Sequence, residues 1–221
     1  AFYNRGLAFY NSDKLDEAIY DFEKALFFKN NYVNAYFYKG LAWHNKGDFE
    51  KAIDDYDKVI ESDPNYFLAY HNRGLAHYNL QKYDGAISDF DCALSLNPEY
   101  VDSYLNRGLA WYYKDDYDKA IDDYNKAIEY SPGYVLAFNN RGLAWQSKGD
   151  IERAIDDYNK AVEFDPNYFI GYYNRGLAFN NLQKYDNAIF DFDKALSLNS
   201  EYVDGYLNRG LAWYYKGDYD K

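Results

Sequence analysis

The sequence predicts an all-α protein built from a tandem array of helix pairs. The tripeptide Gly-Leu-Ala recurs every 34 residues, starting at Gly6, Gly40, Gly74, Gly108, Gly142, Gly176 and Gly210. An Ala-Ile dipeptide follows each of the first six glycines by twelve residues, and all four prolines also lie 34 residues apart. A period in the range of roughly 20 to 50 residues is typical of repeat architectures, in which each unit packs on its neighbours.

The spacing of apolar residues within one unit predicts two helices. Tyr36, Gly40 and Trp43 are spaced so that they fall on one face of a first helix. A second stripe with helical spacing consists of Phe49, Ala52, Ile53, Tyr56 and Ile60. The small residues that recur at Gly40 and Ala52 allow the two helices of a unit to approach closely.

Turn signals separate these helices and end the second one. Gly47 predicts the end of the first helix, and Asp48 is a candidate N-cap for the second. Pro64 cannot continue a helix and predicts the end of the second. Each unit is therefore predicted to be a helix-turn-helix pair.

This pattern of aromatic, Gly, Ala and Pro positions at a 34-residue period resembles the tetratricopeptide repeat. The resemblance covers the whole chain as a single array, residues 1–221. It divides the chain into a nearly complete repeat, five complete repeats and a partial one, with the ranges 1–32, 33–66, 67–100, 101–134, 135–168, 169–202 and 203–221. It implies a right-handed superhelix of about 13 helices.

A longer period is superimposed on the repeat. Residues 67–100 match residues 169–202 at 25 of 34 positions, and residues 101–119 match 203–221 at 17 of 19. Adjacent repeats are less alike. We interpret this as duplication of a three-repeat block of 102 residues, and the alternative is a functional surface whose chemistry repeats every three repeats.

The recurring aromatic residues and ion-pairing residues are expected to have structural roles. We expect the core to contain the aromatic residues four before and three after the glycine, Tyr36, Tyr70, Tyr104, Phe138, Tyr172, Tyr206, Trp43, Trp111, Trp145 and Trp213. A cation directly before the glycine recurs with an aspartate fifteen residues after it, which predicts the ion pairs Arg5/Asp21, Lys39/Asp55, Arg73/Asp89, Arg107/Asp123, Arg141/Asp157 and Arg175/Asp191.

The resemblance also implies that the first helices line a concave inner face. The inward positions would lie six, three and two residues before the glycine and one, four and five residues after it. Of the 41 inward positions, only Asp102 and Asp204 are charged. The other acidic residues lie elsewhere, many of them on the second helices, where they keep the outer surface solvated.

Asparagine and tyrosine dominate the candidate binding residues at the inward positions. Asparagine occupies the position two before the glycine in six of seven repeats, and its amide can both donate to and accept from a peptide backbone. This is similar to the asparagine ladder of O-GlcNAc transferase, although bonding to neighbouring helices is an open alternative. The predicted groove residues are Asn72, Asn106, Asn140, Asn174, Asn208, Phe37, His71, Tyr78, Tyr112, Tyr113 and Tyr173.

Composition argues against several functional classes. The 36 acidic residues against 24 basic ones give a net charge of −12, which disfavours nucleic acid as a partner. No apolar run approaches the roughly 18 residues of a membrane span. Inward lysine and arginine, which the family uses to clamp a C-terminal carboxylate, do not occur. The histidines and the single cysteine, Cys92, form no convincing metal site, and the unpaired thiol favours a reducing compartment such as the cytoplasm.

We therefore expect a protein-protein interaction scaffold that holds an extended peptide or partner segment in its concave groove. We expect no catalytic residues and no cofactor. The alternatives are self-assembly by end-to-end stacking of arrays, or a regulatory or substrate-recruiting region of a larger protein. Because the sequence does not begin with Met, we expect it to be a piece of a longer chain.

Overall fold

The structure, a computed structural model, describes residues 1–218 and contains thirteen α-helices and no β-strand in that range. The helices are α1 (Phe2–Asn11), α2 (Leu15–Phe28), α3 (Val33–Asn45), α4 (Phe49–Ser62), α5 (Phe67–Asn79), α6 (Tyr83–Leu96), α7 (Val101–Tyr113), α8 (Tyr117–Tyr130), α9 (Val135–Ser147), α10 (Ile151–Phe164), α11 (Phe169–Asn181), α12 (Tyr185–Leu198) and α13 (Val203–Lys216). Odd-numbered helices are the first, or A, helices of the repeats, and even-numbered ones are the B helices. The predicted all-α fold class is confirmed.

The chain divides into two compact units, Ala1–Lys114 with α1–α7 and Asp115–Lys221 with α8–α13. In unit 1, each helix packs against the next along the chain, and α1, α3, α5 and α7 also contact one another in succession. In unit 2, α8 to α13 follow the same rule, and α9, α11 and α13 contact one another in succession. The A helices therefore lie side by side within each unit.

The turn within each repeat has one residue in the left-handed backbone region. This residue lies seven positions after the repeat glycine and is Asp13, Gly47, Gln81, Asp115, Gly149, Gln183 or Gly217. At Gly47, φ is +81°, and the next residue, Asp48, accepts a hydrogen bond from the Lys51 amide at 3.3 Å. The predictions that Gly47 ends the A helix and that Asp48 caps the B helix are confirmed.

The two helices of a repeat meet where the repeat glycine faces an aromatic ring sixteen residues later. The rings are fully buried, and a Cβ atom added to the glycine would lie only 2.6–2.8 Å from a ring carbon in the pairs Gly6–Phe22, Gly40–Tyr56, Gly74–Phe90, Gly142–Tyr158 and Gly176–Phe192. No side chain fits there, so glycine sets the distance between the A and B helices.

The fully buried core differs from the expected one. It consists of these rings, Tyr124, Val59 and the recurring alanines. Of the residues predicted for the core, Phe138 is buried, whereas Tyr36, Tyr70, Trp43 and Trp145 are only half-buried and Tyr206 is exposed. Each tryptophan is instead covered by a lysine three residues later, at the end of its helix or one residue beyond it. That lysine pairs with an aspartate of the preceding repeat, in the pairs Lys46–Asp16, Lys114–Asp84, Lys148–Asp118 and Lys216–Asp186. The tryptophans therefore seal the junction between repeats.

The arginine before the glycine makes one contact that the sequence analysis predicted and one that it missed. Arg73 Nη2 lies 2.5 Å from Asp89 Oδ1 in its own repeat, and Arg73 Nη1 lies 2.5 Å from Asp57 Oδ1 in the preceding repeat. In unit 2, Arg175 bonds Asp191 at 2.6 Å and Asn159 at 2.7 Å. The signal for the second contact was an Asp or Asn that recurs sixteen residues before the arginine.

The second repeat carries lysine at this position, and its ion pair is incomplete. Lys39 Nζ lies 3.0 Å from Asp55 Oδ1, but the buried Asp55 Oδ2 has no hydrogen-bond partner among the described residues. Burial raises the pKa of Asp55 to about 6, against the opposing effect of Lys39. The planar guanidinium of arginine contacts both carboxylate oxygens in other repeats, which a single ammonium group does not achieve here.

Replacing Gly142 by alanine should lower the free energy of unfolding by about 1–2 kcal/mol, the overpacking cost less the gain in helix propensity. Gly210→Ala is the matched control, because its Cβ would meet no described atom within 4 Å. The control should raise stability by about 0.5–1 kcal/mol. Urea denaturation followed by circular dichroism measures both. Equal effects of the two substitutions would show that the ring contact does not restrict the position.

Replacing Lys39 by arginine should raise the free energy of unfolding at pH 7 by about 1 kcal/mol, since it supplies the missing bond to Asp55 Oδ2. The raised pKa of Asp55 means that the folded state favours the protonated carboxyl. The gain should therefore be full above pH 6 and disappear as the pH falls towards 4, where Asp55 is protonated. Urea denaturation at pH 7 and pH 4 measures the difference, and a pH-independent gain would contradict this explanation.

Candidate functional site

The side chains at the inward positions differ in solvent exposure. Side chains three residues before the glycine are buried in four consecutive repeats, at Phe37, His71, Leu105 and Asn139. Side chains five residues after the glycine are exposed in every repeat, at Asn11, Asn45, Asn79, Tyr113, Ser147, Asn181 and Tyr215. A ligand on the A-helix side of either unit would therefore meet the second set and not the first.

Burial corrects the prediction that Phe37 and His71 contact a ligand. The Phe37 ring packs 5.0 Å from the ring of Tyr66, and only 6% of Phe37 is exposed. His71 Nδ1 lies 2.8 Å from Ser103 Oγ, and its ring packs edge-on against Tyr100 at 4.9 Å. Adjacent A helices approach so closely that this position is enclosed between them, so both residues have packing roles.

The asparagines two residues before the repeat glycine are called the ladder asparagines. Three of them donate a side-chain hydrogen bond to a backbone carbonyl of their own helix. Asn72 Nδ2 donates to the Leu68 carbonyl and Asn106 Nδ2 to the Asp102 carbonyl, each at 2.7 Å. Asn208 Nδ2 donates to the Asp204 carbonyl at 2.9 Å. All three residues are half-buried. The amide oxygens of Asn72 and Asn106 accept no hydrogen bond from within residues 1–218, so their acceptor side stays available.

The other ladder asparagines bond to side chains within unit 2. Asn174 is buried and donates to Asn139 Oδ1 on α9 at 2.8 Å. Asn139 Nδ2 in turn donates to Asn140 Oδ1 at 3.2 Å. This chain of amides joins α9 to α11, which is the alternative that the sequence analysis left open for the ladder. The ladder asparagines are therefore of two kinds: some bond to the backbone of their own helix, and others bond to neighbouring side chains.

The predicted tyrosines form clusters at the surface. Tyr78 packs against Tyr83 and Tyr113 at 5.8 and 5.9 Å, while Tyr112 lies perpendicular to Tyr113 at 5.7 Å. Tyr113 is 55% exposed. Burial, with Tyr202 close by, raises the pKa of Tyr173 to about 12. Its hydroxyl is therefore neutral at physiological pH and accepts a hydrogen bond from Asn208 Nδ2 at 3.0 Å.

A cavity of about 340 Å³ opens in unit 2 between α11, α13 and the start of α12. Its walls are uncharged and comprise four amide side chains, two tyrosines and two leucines. Asn180, Gln183 and Tyr185 lie in this wall and are not among the predicted groove residues. Gln183 and Tyr185 belong to the turn and the B helix, outside the inward positions, so a surface defined by offsets on the A helices could not include them.

The carboxylates in the interior belong to the ion pairs described above. Burial raises the pKa values of Asp157 and Asp191, while the arginine partners Arg141 and Arg175 oppose the shift. No group of three or more His, Cys, Asp or Glu residues within residues 1–218 is arranged to hold a metal ion. Among the helices of the same range, none combines the length and apolar character needed to cross a membrane.

Family models match most of the chain. The TPR repeat model matches residues 40–81 and 146–183, and the tetratricopeptide repeat model matches residues 67–100, 101–134 and 169–202. The chain belongs to the tetratricopeptide repeat family. Repeats of this family are typically non-catalytic scaffolds for protein-protein interaction. No curated protein matches the chain significantly.

Solved structures share the fold. A crystal structure of MamA is 29% identical with a TM-score of 0.70, and the match covers 73% of this chain and 94% of MamA. YrrB, described as a TPR protein with an unusual peptide-binding site, is 21% identical with a TM-score of 0.67, over 84% of this chain and 96% of its own. PilF of Pseudomonas aeruginosa is 18% identical with a TM-score of 0.75, over 85% and 86%. At these identities, YrrB and PilF support the fold alone.

The buried His71 should make stability depend on pH. Burial lowers the pKa of His71 from 6.5 to about 4, opposed by Asp102 and reinforced by His44. The folded state therefore binds the proton less readily than the unfolded state. Stability should be full above pH 6.5 and fall as the pH drops towards 4, by roughly 3 kcal/mol in total.

The double variant His71→Tyr with Ser103→Gly isolates this effect, because Tyr173 and Gly205 occupy the equivalent positions 102 residues later. His44 and Asp55 remain in both chains, so their titration is common to the two. Urea denaturation between pH 7.5 and pH 4.5 should show a shallower loss of stability in the variant. Parallel pH profiles would show that His71 does not titrate as its burial implies.

Proposed function

We propose that the protein is a non-catalytic scaffold that holds an extended, uncharged peptide segment against the A-helix side of its repeats. Membership of the tetratricopeptide repeat family supports the general role, since these proteins bind protein or peptide partners. YrrB, whose fold this chain shares, is described as having a peptide-binding site, and the proposal extends that kind of role to this chain. Nucleic acid is not a fitting partner for a chain of net charge −12.

The observation that carries this proposal is the distribution of charge. Only two of the 41 inward positions are charged, while the B helices carry acidic pairs such as Asp54-Asp55, Asp122-Asp123 and Asp156-Asp157. A neutral surface of amides and tyrosines can hydrogen-bond a peptide backbone without having to neutralise a ligand charge. The acidic residues elsewhere would attract basic residues that flank the bound segment.

In this proposal, Asn72 and Asn106 make the hydrogen bonds to the backbone of the bound peptide. Asn72 and Asn106 each use one N–H group on their own helix, so the amide plane is fixed before any ligand arrives. Their oxygens can then accept from backbone N–H groups of an extended segment. Since the amides are already oriented, little side-chain entropy is lost on binding. The absence of inward lysine and arginine favours an internal segment over a C-terminal carboxylate.

Exposed aromatic residues favour self-assembly as a second candidate. Phe27 and Phe28 on α2 are 81% and 71% exposed, although the residue equivalent to Phe27 is Glu or Ser in the next five repeats. Val203 and Leu207 on α13 are also exposed. Docking of one copy on another would cover these side chains. Sedimentation over a range of concentrations distinguishes the candidates, because a strict monomer contradicts self-assembly.

The ladder is tested with a peptide selected from a random displayed library whose members have both ends blocked by flanking sequence. In Asn72→Ala with Asn106→Ala, the dissociation constant for this peptide should rise about tenfold or more, since each net hydrogen bond contributes about 1 kcal/mol. Fluorescence anisotropy with the labelled peptide measures affinity, and circular dichroism verifies folding.

Asn31→Ala with Asn187→Ala is the matched control, because both asparagines are exposed and lie outside the inward positions. Its affinity for the peptide should equal that of the unchanged chain. Equal losses in both double variants would contradict a specific ladder. A library that yields no binder to the unchanged chain would overturn the proposed function itself.

A further inference from the structure

The cavity of unit 2 can be compared with the equivalent site in unit 1. Each residue in its wall has an equivalent 102 positions earlier in unit 1, and seven of the eight equivalents are identical. The single difference is Asn180, whose equivalent is Tyr78. One exchange therefore distinguishes two sites that otherwise have the same walls.

Tyr78 occupies in unit 1 the space that Asn180 leaves open in unit 2. In unit 1, Tyr83 and Tyr113 stack at 5.7 Å, and the Tyr78 ring packs against both of them. In unit 2, the equivalent rings of Tyr185 and Tyr215 stack at 6.1 Å. Asn180 is shorter and has no ring that could pack against Tyr185 and Tyr215, which accounts for the cavity.

The chemistry of the wall restricts what can enter. Asn180 Oδ1 is buried and accepts no hydrogen bond from the described part of the chain, so its acceptor capacity is free for a donor that enters the cavity. No charged side chain lines the cavity, so a charged group entering it would lose its hydration without a compensating partner. Asn181 and Gln183 add amide groups that can both donate and accept. The fitting ligand group is neutral, and it both donates and accepts hydrogen bonds.

We propose that this cavity binds the carboxamide side chain of a glutamine or asparagine in the bound segment. The ligand NH₂ group donates to Asn180 Oδ1, its carbonyl accepts from a wall amide, and its methylene groups contact Leu177, Leu211 and the tyrosine rings. An indole group could donate to Asn180 but has no acceptor for the wall amides. This inference rests on the proposed binding of an extended peptide, and it gives unit 2 a selectivity that unit 1 lacks.

The test uses synthetic peptide pools, each with one fixed central residue among random uncharged residues. The fixed residue is Gln, Asn, Glu, Leu or Trp. The unchanged chain should bind the Gln or Asn pool about tenfold or more tightly than the Glu pool, which has nearly the same shape as Gln but adds a charge. Asn180→Tyr should abolish this preference, because it installs the residue that fills the equivalent space in unit 1.

Tyr78→Asn is the complementary variant and should create a second site with the same preference. Thermal unfolding of both variants verifies folding, and unit 1 already accommodates a tyrosine at this position. Equal binding of the Gln and Glu pools, or tighter binding of the Leu or Trp pool, would overturn this inference while leaving the proposed function intact. Failure of every pool to bind the unchanged chain would overturn the proposed function as well.

Discussion

The contact between the repeat glycine and the aromatic ring sixteen residues later, which is seen at five of the repeat glycines, determines how the rest of a repeat is arranged. Because a Cβ atom at Gly40 or Gly176 would lie 2.7 Å from a ring carbon, the A and B helices meet at the shortest distance that the chain allows. The cation directly before the glycine is thereby brought within bonding distance of the aspartate directly before the ring. Packing and ion pairing are therefore two consequences of the same close approach.

This arrangement also separates charge from the surface that a ligand would meet. The arginines lie between the B helices of consecutive repeats and are paired there with acidic or amide side chains, as Arg73 and Arg175 show. With the cations used in this way, the A-helix side offers mainly amides, tyrosines and leucines. Such a side can recognise the backbone or a neutral side chain, and the amide cavity of unit 2 adds a concave site to it.

Much of the fold could be predicted from the 34-residue period, because glycine, proline and Asp48 mark helix ends by mechanisms that act locally. The burial of individual side chains could not. Phe37 and His71 follow the same offset rule as exposed residues, but the close approach of adjacent A helices encloses them. The exchange of Tyr78 for Asn180 is visible in the sequence. Whether it produces an opening or a rearranged contact depends on the neighbouring rings, which only the structure shows.

The arginine bridges also bear on how unit 1 comes apart. A repeat array unfolds as a whole when the coupling between neighbours exceeds the stability of a single repeat. Arg73 ties its repeat to the one before it, whereas Lys39 makes one ion pair with Asp55 inside its own repeat and leaves an oxygen unpaired. The junction before α3 is bridged instead by Lys46, which pairs with Asp16 of the first repeat, whereas the third repeat has Leu80 at the equivalent position. The two junctions are therefore held by different ion pairs, so loss of Arg73 would uncouple the third repeat from the second and leave the bridge between the first two repeats intact.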